Sequence, residues 1–154
     1  MAVLSSSSSA APPDQLTLLG GTHRGPVDHV ECYPAPEGIT TVRFRSEELC
    51  SVCPVTLQPD LASFVIEYEP DRWCIESKSL KLFLWGFRDR AIFAEALAVE
   101  IAQEVMRSAV PHRVRVVLTQ RHRGGIGLEA TAELPLNEAF VRATPEGPER
   151  VEGA

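Results

Sequence analysis

A cysteine and an aspartate in the stretch CPVTLQPD are the residues of this sequence best suited to chemistry. Cys53 and Asp60 lie seven residues apart, and the prolines between them predict an extended, turn-rich loop in which both can face one pocket. A cysteine is a strong nucleophile for a soft electrophilic carbon, and a nearby acid can protonate what the attack creates. The same residues also fit an inert packed thiol beside a turn aspartate, so the residues alone leave both interpretations open.

The spacing of Cys50 and Cys53 is a second feature, because CxxC is typical of half a zinc site or of a redox pair. The second closely spaced pair of ligands that a zinc site would need is missing from the sequence, since Cys32 and Cys74 are isolated. We therefore predict no metal. The chain also lacks a recognisable secretion signal, so all four cysteines are predicted to be free thiols.

Polar residues at the starts of two predicted helices are the remaining candidates. The segment 76–81 (ESKSLK) opens the first helix, where backbone amides and the ammonium groups of Lys78 and Lys81 make a local site for a phosphate. A solvated polar helix face is the alternative interpretation. Glu95 lies near the start of the next helix, where a buried carboxylate would suit a guanine-like edge that offers paired N–H donors.

The elements that must position these residues follow from apolar periodicity. Four segments alternate apolar and polar side chains as strands do, namely 39–45, 63–68, 113–118 and 126–132. The loop 46–61 between the first two holds Cys53. Two further segments, 80–87 with Ser77 as N-cap and 89–108, have helical spacing. The order ββααββ predicts an α+β fold: an antiparallel sheet with both helices on one face and exposed edges that favour self-association.

The composition predicts one domain, because 154 residues with 44% hydrophobic side chains suffice for a modest core. Residues 1–15 and 144–154 are predicted to be flexible, which leaves 16–143 as the packed domain. The net charge of −6 argues against direct nucleic-acid binding. The N-terminal residues lack an apolar run long enough for a signal peptide or a membrane span, so we expect a cytoplasmic protein with no membrane partner.

Three blocks, CPVTLQPD, ESKSLKLFLWGFR and FAE at 93–95, resemble the NADPH-dependent 7-cyano-7-deazaguanine reductases in their short, single-domain form. The resemblance covers roughly residues 42–127, and ESKSLK, the motif that the family associates with NADPH, is its most specific part. It implies the tunnelling fold, in which subunits join their sheets into rings with sites between subunits. It also implies reduction of the nitrile of a deazapurine base to an aminomethyl group in queuosine tRNA modification.

The resemblance also implies a role for each candidate residue. Cys53 would form a covalent thioimide with the nitrile carbon, and Asp60 would protonate the nitrile nitrogen. Lys78 and Lys81 would lie near the phosphates of NADPH. The residues implied to bind the base are Ile75, Glu76, Ser77, Ala94 and Glu95.

Ala94 departs from the family pattern, which has histidine at this position. A side chain that can relay a proton is therefore missing, and the later proton steps are open. Arg90 cannot act as an acid at neutral pH.

Three other functions stay open at this point. The first is an amidine-forming relative that uses ammonia or glutamine on the same thioimide, although Lys78 and Lys81 argue against it. The second is a metal-dependent pterin or purine hydrolase of the same fold. The third is a ring-forming, purine-binding protein without catalysis, and Ala94 is the only residue that favours it.

Overall fold

The computed structural model describes residues 16–136, in which two helices pack on one face of a four-stranded antiparallel sheet. The strands are β1 (Cys32–Pro34), β2 (Val42–Val52), β3 (Pro59–Glu69), β4 (Trp73–Ile75), β5 (Arg113–Arg123) and β6 (Ile126–Leu134). The helices are α1 (Ser77–Trp85) and α2 (Ala94–Ala109). The sheet order is β2-β3-β5-β6, while β1 and β4 form a separate antiparallel pair. The predicted α+β class and the order ββααββ of the main elements are confirmed.

Alternation along the strands places the apolar core on the side of the sheet that faces the helices. The buried side chains of β3 and β5 are Phe64, Ile66, Tyr68, Val114, Val116 and Leu118. From α2, an apolar stripe with a spacing of four residues packs against them, namely Leu97, Ile101 and Val105. The register is fixed by Ile66, which pairs with Phe44 on one side and with Val116 on the other.

The strands around Cys53 are longer than the apolar alternation predicts. That alternation ends β2 at Arg45, whereas the pairing with β3 continues to Val52. A register shift between Ser46 and Leu49 breaks the alternation, which hides the second half of the strand. The predicted loop 46–61 therefore shrinks to the turn 53–58, and Cys50 lies on a strand.

The ends of the helices also differ from the prediction. Glu76 is the N-cap of α1 in place of Ser77, which is the first helical residue. Helix α2 begins at Ala94, because residues 90–92 bond to Val52 instead of continuing a helix. The three-residue strands β1 and β4 are too short for periodicity to reveal. No helix among the described residues has the length and apolar character needed to cross a membrane.

A buried glutamate ties the N-terminal part of the described chain to the helix layer. The carboxylate of Glu31 accepts hydrogen bonds from the backbone N–H and hydroxyl of Thr17, at 2.9 and 2.5 Å, and from Leu18 N at 3.2 Å. Its carbonyl oxygen accepts from Glu76 N at 2.8 Å. Residues 17 and 18 thus contact the folded part of the chain, while the domain bounds 16–143 stay a prediction. The segments predicted to be flexible, 1–15 and 144–154, lie outside the described residues.

Candidate active site

Three strand ends meet at one end of the sheet and bring the candidate nucleophile and acid together. In the pairing of β2 with β3, Ser51 lies opposite Asp60, and Cys53 follows directly after the last residue of β2. Strand β5 runs beside β3 and ends at Arg123, whose side chain reaches Asp60. Cys53 and Arg123 line a cleft of about 470 Å³. The sequence predicts the proximity of Cys53 and Asp60 but gives no indication of Arg123.

The turn 53–58 supplies hydrogen-bond donors to the thiol. It is closed by Leu57 N donating to Cys53 O and by Cys53 N donating to Gln58 O, both at 2.9 Å. The Thr56 hydroxyl has the largest effect on the thiol, followed by the N–H groups of Thr56 and Val55 and by the Arg123 guanidinium. Because all of them favour the thiolate, they lower the pKa of Cys53 to about 7.

The other cysteines do not share this environment. Burial raises the pKa of Cys32 to about 11 and also raises that of Cys74. Cys50 is half-buried and lines a groove between β2 and α1, a different cavity from the one that Cys53 lines. The two cysteines of the CxxC therefore do not form a common site. All four are free thiols, and no group of three or more metal-ligating side chains is found within residues 16–136.

Asp60 is buried, and Arg123 is its charged partner. The side chain is only 3% exposed, and its Oδ1 lies 2.5 Å from Arg123 Nη1. The N–H groups of Arg123 are not aligned with this oxygen, which accepts no hydrogen bond of regular geometry. Arg123 Nη2 also donates to Gln120 Oε1 at 3.4 Å. The guanidinium thus lies between a thiol and a carboxyl.

Three of the five residues implied to bind the base lie at the opposite end of β2. Ile75, Glu76 and Ser77 line a second cleft, of about 500 Å³, together with the early β2 residues Val42 and Phe44. Phe44 and Val52 are eight residues apart, which corresponds to about 25 Å along an extended strand. Within one chain, this cleft is therefore separate from the one that holds Cys53.

The two lysines of the ESKSLK motif have different surroundings. Lys78 Nζ donates to the carbonyl oxygens of Leu18 and Gly21, at 2.7 and 2.6 Å. Lys81 is exposed in the groove between β2 and α1, which has a volume of about 590 Å³ and also contains Arg45 and Arg88. Lys81 is thus placed to meet a phosphate, whereas the Lys78 ammonium already holds backbone carbonyls.

The Glu76 side chain caps the start of α1. It is 6% exposed, and its two carboxylate oxygens accept from Lys78 N and Ser79 N, both at 2.8 Å. This is the arrangement of a helix N-cap. The carboxylate therefore shapes the second cleft by fixing the helix start, and Ser77 is the exposed residue beside it.

The start of α2 lies near the Cys53 turn of the same chain. Val52 N donates to Arg90 O at 2.9 Å, and Ile92 N donates to Val52 O at 3.1 Å. Ala94 is buried in the core, so its side chain offers the site no polar group, whereas Glu95 is exposed. The guanidinium of Arg90 pairs with Glu100 at 2.7 Å.

Comparisons with known proteins identify the family. A family model described as QueF-like protein matches residues 59–138. Three similar relatives are NADPH-dependent 7-cyano-7-deazaguanine reductases. The protein of Alkalilimnicola ehrlichii is 40% identical over 100 residues, which is 65% of this chain and 78% of the relative. That of Thermomicrobium roseum is 36% identical over 118 residues (77% and 87%), and that of Ruegeria pomeroyi is 40% identical over 120 residues (74% and 77%).

A solved structure is similar as well. The crystal structure of the archaeosine synthase QueF-Like in the apo form superposes with a TM-score of 0.60 at 27% identity. The match covers 63% of this chain and 95% of the other.

Proposed function

Because this chain belongs to the family of NADPH-dependent 7-cyano-7-deazaguanine reductases, we propose that it reduces the nitrile of 7-cyano-7-deazaguanine to the aminomethyl group of 7-aminomethyl-7-deazaguanine. This reaction belongs to the biosynthesis of queuosine in tRNA, and its substrate is a small deazapurine. The observation that carries the proposal is a thiol with a pKa of about 7 at the strand end where a buried carboxyl lies. We expect the reaction to take place in the cytoplasm.

The first step follows from the two reacting groups. The Cys53 thiolate attacks the nitrile carbon, a carbon–sulfur bond forms, and one π-electron pair of the nitrile moves onto nitrogen. That nitrogen takes the proton of Asp60, which leaves a thioimide on Cys53 and a carboxylate on Asp60. NADPH, when bound, supplies the two hydrides that convert the nitrile carbon to an aminomethyl carbon.

The groove between β2 and α1 is the part of the chain that fits a dinucleotide. Its three cations, Arg45, Lys81 and Arg88, suit phosphate groups, and its volume of about 590 Å³ is in the range of ligand sites. We propose that Lys81 contacts the cofactor phosphates. The same role for Lys78 stays a prediction, since its ammonium bonds to Leu18 and Gly21.

A complete site requires a second copy of the chain. Cys53 and the segment 75–77 lie next to positions of β2 that are about 25 Å apart, whereas a deazapurine base spans well under half of that distance. Strands β2 and β6 each have one unpaired edge among the described strands. We propose a homo-oligomeric ring in which paired edges bring segment 75–77 of one copy to Cys53 of the next.

Intact mass spectrometry with the nitrile base tests the proposal at its first step. The protein should gain one base per chain without NADPH, and NADPH should then be consumed as the amine forms. Cys53→Ala should remove both the mass gain and at least ~10³-fold of the turnover, whereas Cys50→Ala should keep them. An adduct that survives Cys53→Ala would refute the assignment.

The same assay separates reduction from amidine formation. Both begin with the thioimide, but only reduction consumes NADPH. If ammonia releases the base as an amidine while NADPH stays unchanged, the reductase proposal is wrong.

A further inference from the structure

Arg123 lies between the two groups that react, and the motifs of the sequence do not point to it. Its Nη1 is 2.5 Å from Asp60 Oδ1, and its guanidinium lines the same cleft as Cys53, where its positive charge favours the thiolate. Building on the proposed function, we propose that Arg123 is a positioning residue that stabilises the negative charge as it moves from the Cys53 thiolate to the Asp60 carboxylate.

The charge balance of the first step explains why one cation is sufficient. When the attack begins, the proton of the Cys53 thiol has passed to the Asp60 carboxylate, so that sulfur carries the negative charge and Asp60 carries the proton. Afterwards the sulfur is bound to carbon, the nitrogen holds the proton, and the carboxylate carries the charge. Because Arg123 contacts both the group that loses the charge and the group that gains it, the cation need not move far during the step. Such preorganised charge lowers a barrier without solvent reorganisation.

The surroundings of Arg123 favour this role. Gln120 Oε1 accepts from Arg123 Nη2 at 3.4 Å and so restrains the guanidinium. The cleft is otherwise lined by the neutral residues Thr56 and Gln58 of the turn and by Ile126 and Leu128 of β6. Within residues 16–136, the ionisable groups that meet here are therefore Cys53, Asp60 and Arg123.

The geometry of the Asp60 oxygen beside Arg123 fits the inference. The oxygen is buried but accepts no hydrogen bond of regular geometry, although a guanidinium is 2.5 Å away. A buried carboxylate oxygen without such a bond is costly in a resting protein. This oxygen therefore keeps a lone pair that can hold the proton later transferred to the nitrile nitrogen. Arg123 supplies the positive charge that balances the carboxylate left behind.

Alkylation of Cys53 by iodoacetamide as a function of pH tests the thiolate half of this role. Peptide mass spectrometry separates Cys53 from the other cysteines, and neither base nor NADPH is needed. In the unmodified protein the alkylation rate should rise with a midpoint near pH 7. Arg123→Gln should move the midpoint up by about one pH unit, and Arg123→Lys should move it less. Arg121→Gln, which changes an exposed arginine of the same strand, is the matched control and should leave it in place.

The Asp60→Asn variant tests whether the Arg123 guanidinium interacts with both Asp60 and Cys53 or has only a structural role. Without a carboxylate to share the guanidinium, Arg123 should interact more strongly with sulfur, and the midpoint should fall below that of the unmodified protein. A merely structural arginine would not produce opposite shifts in Asp60→Asn and Arg123→Gln. If both variants leave the midpoint unchanged, the inference is overturned.

Adduct formation with the nitrile base tests the carboxylate half. At pH 7, Arg123→Gln should slow the gain of mass by ~100-fold, and Arg123→Lys should recover part of the loss. An Arg123→Gln protein that forms the adduct at the normal rate overturns the inference and leaves the proposed function intact. If the unmodified protein forms no adduct but shows the predicted alkylation shifts, the proposed function fails while the effect of Arg123 on the thiol stands.

Discussion

The two ends of strand β2 differ in how they hold their functional groups. At the Cys53 end, a short turn and strand register place Cys53 in one cleft with Arg123, which in turn contacts Asp60, across three strands. At the other end, hydrogen bonds from its backbone fix segment 75–77. For example, Ile75 N donates to the buried Tyr68 hydroxyl at 2.8 Å. In the proposed function, one end would hold the groups that react and the other a surface that binds the base, as expected for a site shared by two copies.

Mixing two inactive variants is the strongest test of this division. Ser77→Trp should fill the cleft at the binding end and abolish adduct formation, as Cys53→Ala does at the reacting end. After dissociation and reassembly of an equal mixture, about a quarter of the interfaces would combine an intact Cys53 with an intact Ser77. Activity near a quarter of normal is therefore expected, measured as NADPH consumption.

Cys53→Ala mixed with Glu95→Ala is the matched control for that experiment. Bonds between Val52 and residues 90–92 bring the start of α2 close to Cys53 in one chain, so this pair should not recover activity. Recovery by the control mixture, or a stable monomer by light scattering that still reduces the nitrile, would contradict the division into two ends.

Substitutions of the two lysines of α1 test the same comparison, and their expected effects are smaller. Lys81→Met should raise the KM for NADPH by about tenfold, with less effect at high salt, and should leave adduct formation unchanged. Lys78→Met should instead weaken the hold on residues 18–21, which lowers thermal stability and slows adduct formation. Titration of NADPH, with adduct formation measured separately, distinguishes the two. A Lys78→Met protein that loses only NADPH affinity would restore the cofactor role that the sequence predicts.

The N-cap of α1 should produce the smallest effect. Glu76→Ala removes acceptors for the N–H groups of Lys78 and Ser79 and should lower the free energy of unfolding by about 1–2 kcal/mol, measured in urea. Ser77→Ala, one residue further on and exposed, should change it by less than about 0.5 kcal/mol. Equal effects of both substitutions would show that the cap contributes little.

The sequence indicates neighbours in space best where they are also neighbours along the chain. Cys53 and Asp60 are joined by one short turn, so their residue types and spacing predict a common site. Arg123 follows Asp60 by 63 residues and reaches it only through the register of β3 with β5, which residue patterns do not reveal. The main helices and strands were predictable because each has a clear apolar period.

Lys78 is a second example of a contact that residue patterns do not reveal. The sequence predicts that its ammonium meets a phosphate, whereas residues 18–21 approach it in the folded chain and take up its hydrogen bonds. A side chain's chemical type can be read from the sequence, but the partner that it finds depends on tertiary packing.

The buried carboxylate of Glu31 determines how far the chain can be shortened. Its two oxygens depend on donors from Thr17 and Leu18, although neither residue lies in a strand or a helix. Removing residues up to 15 spares these donors. A truncation that starts after Leu18 would leave the buried Glu31 carboxylate without these donors and with only the His29 ring nearby, at a cost of several kcal/mol. The minimal folding unit therefore begins some fifteen residues before the first strand.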